Sequence, residues 1–316
     1  MTGETVLEVA DLHKTFFIGF MRKRVEAVRG IGFEVKRGEI FGFVGPNGAG
    51  KTTTIKMMLQ LIFPTRGQVK LFGTSAFSPE ARARLGYLPE NPYIYSYLKP
   101  LEFLDLCGQL AGMSKRDRVK RADELVQRLG LSHATDRAIG KFSKGMTQRL
   151  GFCQALLHDP ELLIFDEPFS GLDPIGRKDL RDLMLEQKAQ GKTILLTSHV
   201  LSDVEVMSER VAILRQGKVV AYGVIDELLR PEVRRTEIEL VDVSAELLSK
   251  LEKAATHTRV LDKQVTLVAE GEDGAPALIK LALDGGARVM AVTPHRETLE
   301  DLFVRKAVTE ASDRAG

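Results

Sequence analysis

One short segment combines the residue types and the spacing that phosphate binding requires. It fits the pattern G-x-x-x-x-G-K-[ST] at every fixed position, and its residues are Gly45, Pro46, Asn47, Gly48, Ala49, Gly50, Lys51 and Thr52, followed by Thr53. An apolar run precedes the segment and a helical pattern follows it, which argues against a glycine-rich turn that matches by chance. Glycines allow backbone N–H groups to surround phosphate oxygens, and the start of a helix adds a positive dipole end. We therefore expect Lys51 to reach the β- and γ-phosphates of a nucleotide and the Thr52 hydroxyl to bind Mg²⁺.

Two acidic residues, Asp166 and Glu167, end the apolar run Leu162 to Phe165. A buried strand of this kind places them at the carboxyl edge of a parallel sheet, where ligands bind in open α/β folds. We expect Asp166 to hold Mg²⁺, directly or through water, and Glu167 to polarise the attacking water. The alternative is a charged strand end that leads into a turn at Pro168. The phosphate-binding segment elsewhere in the chain makes this alternative less favoured.

A histidine, His199, follows another apolar strand, Thr193 to Leu196. At the end of a sheet strand, a histidine can hydrogen-bond a γ-phosphate oxygen or hold the water and the glutamate in register. For a lone histidine, packing or helix capping would be the simpler interpretation. The position of His199 after a third predicted sheet strand favours the catalytic interpretation.

The elements that must position these residues alternate between strands and helices. Residues 1–44 show strand patterns, a helix is predicted from Lys51 to Leu61, and residues 86–160 are mainly helical. The apolar runs at 162–165 and 193–196 are short enough to be buried strands. Strands that alternate with helices predict an α/β fold with a mainly parallel sheet.

After Gly223 the pattern changes to a second set of strands and helices. Pro231 marks the end of a short helix and the start of a linker. The predicted strands beyond it are 236–241, 264–268 and 288–292, and the predicted helices begin near 244, 275 and 296. Because this set carries none of the phosphate-binding patterns, we expect a separate small α+β domain over residues 236–316.

Composition narrows the classes of function. Of the 316 residues, 44% are apolar and 28% are charged, and the formal net charge is only +2. A protein that binds nucleic acid usually carries a stronger basic bias, so we expect no nucleic-acid partner. No apolar run reaches the roughly 18 residues that a membrane-spanning helix needs. If the protein works at a membrane, we expect a separate chain to supply the membrane spans.

With these motifs in this order, residues 1–225 resemble the ATPase cassette of ABC transporters. Residues 142–146 (FSKGM) stand where the family has its LSGGQ signature, and residues 170–173 (SGLD) match its D-loop. A lone phosphate-binding segment would fit any of many NTPases, whereas five ordered motifs in one chain make a chance match improbable. The resemblance implies a P-loop NTPase fold with a mainly parallel sheet core, an antiparallel β subdomain, and a helical subdomain near residues 90–160.

The resemblance also implies the ligands and the assembly. ATP and Mg²⁺ would bind at the phosphate-binding segment, while Ser143, Gly145 and Asp173 would contact nucleotide in a dimer of two cassettes, either identical or different. In the family, the signature caps the γ-phosphate that the opposite subunit holds. A helix start with a free hydroxyl, as at Ser143, is suited to bind an anion. Because the chain already has one complete phosphate site, this second site needs the nucleotide of another subunit.

Three positions depart from the family pattern. The signature reads FSKGM rather than LSGGQ, although Ser143 and Gly145 are kept. Glu90 stands at the position of the usual Q-loop glutamine, where its carboxylate can still bind Mg²⁺ or a water on the metal. Phe16 stands at the position of the aromatic residue that stacks on adenine, which is usually a tyrosine. Phe17 is adjacent and is the alternative for this role.

The variant signature, Glu90 and the C-terminal extension resemble the ATPases of ABC-2-type exporters. This resemblance implies an ATP-hydrolysing subunit at the cytoplasmic face of a bacterial membrane, bound to a separate transmembrane permease. The cassette would span residues 1–230, and an accessory domain would span residues 236–316. The alternative function is a soluble ABC ATPase that acts on ribosomes or nucleic acid. Translation factors of that kind usually carry two cassettes in one chain, and this chain has one.

Overall fold

The first unit contains a six-stranded sheet whose central strands are buried along their whole length. The computed structural model describes residues 3–19, 23–229, 233–262 and 264–312, and the chain divides into two units, Met1–Ile225 and Asp226–Gly316. In sheet order the strands are β10 (Lys218–Val224), β9 (Arg210–Arg215), β3 (Ile40–Val44), β8 (Thr193–Ser198), β7 (Leu162–Phe165) and β6 (Leu85–Leu88). All neighbours are parallel except β10 and β9. Complete burial of β3, β7 and β8 is typical of a parallel sheet that is covered on both faces.

A second, antiparallel sheet belongs to the same unit. In sheet order its strands are β2 (Lys23–Lys36), β1 (Thr5–Ile18), β4 (Arg66–Leu71) and β5 (Thr74–Ser75). Phe33 of β2 stacks on Phe41 of β3, with 5.3 Å between the ring centroids, and lies 5.0 Å from the ring of Phe43. The two sheets therefore share one apolar core.

Helices cover the central sheet and form a helical region between β6 and β7. The helices of the first unit are α1 (Lys51–Met58), α2 (Pro79–Ala83), α3 (Pro100–Leu110), α4 (Lys115–Arg128), α5 (Lys144–Leu156), α6 (Pro174–Ala189) and α7 (Leu201–Met207), and α8 (Ile225–Leu228) lies at the division between the units. In α5, Phe152 is buried with its ring 4.8 Å from the ring of Phe165 in β7. This contact joins the helical region to the strand that carries the two acidic residues.

The second unit is a four-stranded antiparallel sheet with helices packed on it. In sheet order its strands are β12 (His257–Leu261), β13 (Gln264–Glu270), β11 (Val233–Val241) and β14 (Arg288–Arg296), and its helices are α9 (Ala245–Ala254), α10 (Gly271–Asp284) and α11 (Leu299–Ser312). Alternate residues of β11 and β13, such as Ile238, Leu240 and Leu267, join one core with Leu247 of α9 and Leu278 of α10. The alternation is that of a sheet covered on one face.

The sheet order agrees with the predicted α/β fold, while several element boundaries differ from prediction. Helix α1 ends at Met58 rather than Leu61, because Gln60 adopts a left-handed conformation with φ 59°. The closing helix predicted from residue 296 is present but begins at Leu299, because Arg296 ends β14. Strand β12 was not predicted because most of its side chains are exposed. The predicted linker at Pro231 lies outside the described residues. Within the described ranges, no helix combines the length and the apolar character needed to cross a membrane.

Candidate active site

The phosphate-binding segment forms a loop between β3 and α1 that only glycine can follow at two places. A Cβ on Gly45 would lie 2.4 Å from the carbonyl oxygen of Leu214, and a Cβ on Gly50 would lie 2.7 Å from that of Ala27. Gly50 also has a φ of 107° and precedes the first residue of α1 without any side-chain cap. The first N–H groups of the helix therefore keep their hydrogen-bonding capacity for a ligand.

Lys51 folds back over this loop and meets the catalytic candidate Glu167. Its Nζ donates to the carbonyl oxygen of Gly45 at 2.6 Å and lies 3.1 Å from Oε1 of Glu167. Only 6% of Lys51 is exposed, so a buried cation faces a buried carboxylate. These groups border a cleft of about 340 Å³, whose lining residues are Ala27, Pro46, Asn47, Gly48, Ala49, Gly50, Lys51, Thr52, Thr53, Glu90, Glu167 and His199.

Glu167 has an unusual backbone conformation and contacts Lys51, which follows β3, and His199, which follows β8. Its φ is +50°, a left-handed value that is uncommon for a non-glycine residue and that clusters at functional sites. Its Oε2 accepts hydrogen bonds from Nδ1 of His199 at 2.7 Å and from the backbone N–H of His199 at 3.1 Å. Since Nδ1 donates to the carboxylate, Nε2 is the ring nitrogen left for a ligand. The predicted pair of glutamate and histidine is thus in direct contact.

Asp166 lies beside Glu167 and is almost completely buried. Burial raises the pKa of its carboxyl group above the ordinary value, opposed by hydrogen bonds from Thr197 and Thr52 and assisted by the negative charges of Glu167 and Glu90. The Thr197 hydroxyl donates to Oδ1 of Asp166 at 2.7 Å. A buried carboxylate with acidic neighbours is favoured by a cation placed next to it.

The donors at this position fit Mg²⁺. The ion prefers oxygen ligands and usually takes one or two carboxylates, with water and substrate phosphates filling the other positions. The Thr52 hydroxyl, the Asp166 carboxylate and the nearby Glu90 are such donors. Throughout the described part of the chain, no group of three or more His, Cys, Asp or Glu residues could hold a metal alone. Water and phosphate oxygens are the ligands that would complete the coordination of Mg²⁺.

The signature and D-loop residues lie at a different place in the unit. Ser143 is the N-cap of α5, where its Oγ accepts from the backbone N–H of Met146 at 3.3 Å. Asp173 is the N-cap of α6 and accepts from the backbone N–H of Gly176 at 2.9 Å. Both residues, together with Gly145, line a separate open cavity of about 390 Å³. The structure therefore groups the predicted site residues into two sets.

Phe16 belongs to neither set. It lies on β1 opposite Val25, and the Nζ of Lys14 is 5.1 Å from its ring centroid. Of the residues in the described ranges that line the cleft, Ala27 comes from the same hairpin and Phe16 is not among them. Stacking of Phe16 on adenine stays a prediction.

One contributor to the site, Thr197, was not singled out from the sequence. Its hydroxyl accepts from the backbone N–H of Glu167 at 2.9 Å while donating to Asp166, so it fixes both acidic residues. The available signal was the change from apolar to polar residues at the end of β8, where Thr197 is fully buried. A buried hydroxyl at the carboxyl end of a parallel strand needs partners, and the neighbouring strand supplies them.

Comparisons with known proteins agree with this arrangement. A family model described as ABC transporter matches residues 28–170. An uncharacterised ABC transporter ATP-binding protein of Nostoc sp. is 39% identical over 305 residues, which cover 96% of this chain and 90% of that protein. This chain belongs to the ABC transporter ATP-binding proteins. Another member, the bacitracin transport ATP-binding protein BcrA of Bacillus licheniformis, is 36% identical over 305 residues and covers 95% of this chain and 97% of its own length.

The fold of this chain is similar to that of solved ABC transporter ATP-binding subunits. The structure of an ATP-binding subunit of an ABC transporter, 37% identical, covers 71% of this chain and 91% of its own length with a TM-score of 0.63. A dimeric ATP-binding cassette bound to ADP and phosphate has a TM-score of 0.63 at 23% identity, covering 69% of this chain and 98% of its own. The predicted P-loop cassette fold is confirmed. This ABC transporter subunit is an ATPase whose ligands are ATP and Mg²⁺, as predicted.

Proposed function

We propose that this ABC transporter subunit dimerises on ATP and drives a bacterial exporter whose permease is a separate chain. One observation carries the dimer. In the described part of the chain, Lys51 and His199 both contact Glu167 in the same cleft. Ser143 and Asp173 border a separate cavity whose lining includes none of these three residues. A second cassette that presents its Ser143 side to this cleft would complete both sites of a symmetric pair.

In this proposal the cleft residues divide the work of phosphoryl transfer to water. Lys51 and the N–H groups of the loop bind the phosphates, and they stabilise the charge that develops on the γ-phosphate. Glu167 orients the attacking water, and His199 holds the glutamate in place through the 2.7 Å contact. Thr52 and Asp166, with Glu90 nearby, would hold Mg²⁺. Held there, the ion would supply positive charge that offsets the negative charge of the phosphates.

The Lys51–Glu167 contact has a place in this scheme. With Nζ 3.1 Å from Oε1, each group is the other's neutralising partner. A phosphate that takes Lys51 as its own partner would release Glu167 for water. After this exchange Lys51 still has an anionic partner, and Glu167 keeps the two hydrogen bonds from His199 on its Oε2.

The exporter assignment is supported by the relatives and by the variant motifs. BcrA, which aligns with 95% of this chain over 97% of its own length, is named for bacitracin transport. The signature FSKGM, Glu90 and the C-terminal unit are the features that resemble ABC-2-type exporter ATPases. We assign residues 1–230 to the cassette, with its helical subdomain near 90–160, and residues 236–316 to an accessory domain. The proposed location is the cytoplasmic face of the membrane, and no nucleic-acid partner is expected.

Affinity purification of the tagged chain from detergent-solubilised cells tests the transport part of the proposal. We expect a stoichiometric partner with several membrane-spanning helices, and ATPase activity that changes when the two are reconstituted in vesicles. Recovery of ribosomes or nucleic acid in place of a membrane protein would overturn the exporter assignment. The ATPase assignment would be unaffected, because it can be measured on the purified chain alone.

A further inference from the structure

A buried glutamine, Gln148, lies on the second turn of α5 and reaches the catalytic strand end. Its Nε2 donates to the carbonyl oxygen of Pro168 at 3.1 Å, and only 1% of the residue is exposed. Glutamine is rarely so deeply buried unless its amide is hydrogen-bonded. Pro168 directly follows Glu167, so this bond fixes the residue next to the proposed base.

The turn that begins at Glu167 needs such support. The backbone of Glu167 has a φ of +50°, a conformation that a residue other than glycine keeps only when its surroundings hold it there. Thr197 accepts from the N–H of Glu167 at 2.9 Å, and the N–H of Ser170 donates to the carbonyl oxygen of Glu167 at 3.1 Å. Gln148 adds a third bond, and it comes from a different element, α5.

Helix α5 is also the element that presents Ser143. Gln148 lies five positions after Ser143, a distance of about 7.5 Å along a helix axis at 1.5 Å per residue. Ser143 caps, and Gln148 belongs to, the same continuous 13-residue helix, Lys144–Leu156. Lys144, the first residue of α5, adds an exposed contact, since its Nζ donates to Oγ of Ser170 at 3.4 Å. The start of α5 and the turn after Glu167 are therefore connected twice, once through a buried bond.

We propose that Gln148 is a positioning residue that couples the signature of a protomer to the Glu167 of the same protomer. This inference rests on the proposed roles of Ser143 and Glu167. When Ser143 engages the nucleotide in the partner's cleft, α5 is fixed, and the Gln148 amide transmits that position to Pro168. The two nucleotide sites of the dimer are thereby linked through one side chain, because a change in the position of α5 reaches the residue that follows Glu167.

The variant Gln148→Met tests this proposal, because methionine keeps the length and volume of the side chain and removes both amide donors. We expect kcat for ATP to fall about tenfold, the effect of one lost hydrogen bond that positions a catalytic group, while KM for ATP stays within twofold. The matched control is Gln187→Met, which removes another buried glutamine amide, on α6. The control should keep wild-type kcat.

A double-mutant cycle separates coupling from a structural effect. Ser143→Ala and Gln148→Met should lower kcat together by much less than the product of their separate effects, since both interrupt the same connection. Ser143→Ala with Gln187→Met should be multiplicative. If Gln148→Met does not fold, Gln148→Asn, whose amide falls short of Pro168, replaces it. Wild-type kcat in the Gln148 variant, or a multiplicative cycle, would overturn the coupling. Failure of Glu167→Gln to stop turnover would instead overturn the assignment of the base.

Discussion

Two helices of the first unit begin with residues proposed to meet phosphate, and they begin in opposite ways. Helix α1 follows Gly50, which offers no side-chain cap, so its first N–H groups are left for a ligand. Helix α5 follows Ser143, whose hydroxyl already accepts the N–H of Met146 at 3.3 Å. The first N–H groups of α1 need a ligand as hydrogen-bond acceptor, whereas the Ser143 side chain already accepts from one of the first N–H groups of α5.

The two helix starts also differ in how deeply their side chains are buried. Lys51 at the start of α1 is buried and paired with Glu167, while Ser143 and Lys144 at the start of α5 are exposed. A cleft with buried charges is organised before any ligand binds, whereas an exposed helix start acquires its surroundings from a partner. In the proposed dimer, the cleft of each chain is the catalytic half of a site, and the start of α5 is the binding half that it offers to the other chain. The predictions below test each half.

Glu167→Gln is expected to have the largest effect and to act on the cleft alone. Loss of a general base typically lowers turnover by about 100- to 10,000-fold, so hydrolysis should be nearly abolished. Glutamine can still accept the hydrogen bonds from His199, and the loops that bind phosphate are unchanged. We therefore expect retained ATP binding and an ATP-bound dimer that no longer separates, measured by phosphate release and by size-exclusion chromatography with ATP.

The control for this variant is Glu39→Gln, which removes another partly buried carboxylate of the same unit, paired with Arg210 at 3.1 Å. It should retain turnover within about threefold, since a structural ion pair affects stability rather than the chemical step. Turnover near the wild-type rate in the Glu167 variant would place the base elsewhere. A variant that stays monomeric with ATP would argue against the nucleotide-held dimer.

Ser143→Ala should produce a smaller effect, and one of a different kind. The cleft is complete without Ser143, so ATP affinity of the isolated chain should not change. Turnover should fall about 100-fold, as is typical when one donor to a developing phosphate charge is removed. The measurement is a comparison of nucleotide affinity, by fluorescence titration, with kcat.

A second serine supplies the matched control for Ser143→Ala. Ser244 is the N-cap of α9 in the second unit and accepts from the N–H of Leu247 at 3.2 Å. Both alanine variants should lose about 1 kcal/mol of stability from the missing cap. Only the Ser143 variant should lose turnover. Equal losses of turnover would mean that the helix start of α5 is structural and that the comparison between the two helices fails.

The cleft could be predicted from the sequence because its residues lie in short runs whose context is local. The segment 45–52 and the pair Asp166-Glu167 each follow an apolar strand, and parallel strands end at one edge of a sheet. Their contacts, such as Lys51 with Glu167, follow from that edge. The fold class follows from the same alternation of strands and helices.

Other features could not be predicted because they depend on distant partners. The positive φ of Glu167 has no signature in residue type, and the hydrogen bonds beside it come from Thr197 to its N–H and from Gln148 to the carbonyl oxygen of Pro168. Gln148 follows the signature segment and lies between Thr147 and Arg149, and its residue type alone does not indicate a bond to Pro168. Strand β12 is an exposed edge strand, and an edge strand shows little periodicity. In each case the deciding interaction joins residues far apart in the chain.

Asp166→Asn tests the last difference between the two halves, which is burial of charge. The cleft contains the buried carboxylate of Asp166, whereas the start of α5 is exposed. Burial raises the pKa of Asp166 in the folded protein above the ordinary value of 3.8. The folded state therefore holds its proton more firmly than the unfolded state. The resulting stabilisation is complete below pH 3.8 and is lost as the pH rises through the folded-state pKa. At neutral pH, without nucleotide and Mg²⁺, the ionised and buried Asp166 should destabilise the wild-type protein relative to the asparagine variant.

We expect Asp166→Asn to melt about 2 to 4 °C above wild type at pH 7, the shift that ~1 kcal/mol causes in a domain of this size. Toward pH 4 the gap should close, because the wild-type carboxyl group gains its proton. Addition of Mg²⁺ and ATP should reverse the order, since only the carboxylate binds the cation. Asp136→Asn, at a side chain that is 97% exposed, should show neither effect. A difference in melting temperature that does not depend on pH would mean that the charge of Asp166 is already neutralised within the protein. The cleft would then not need a bound cation to offset that charge.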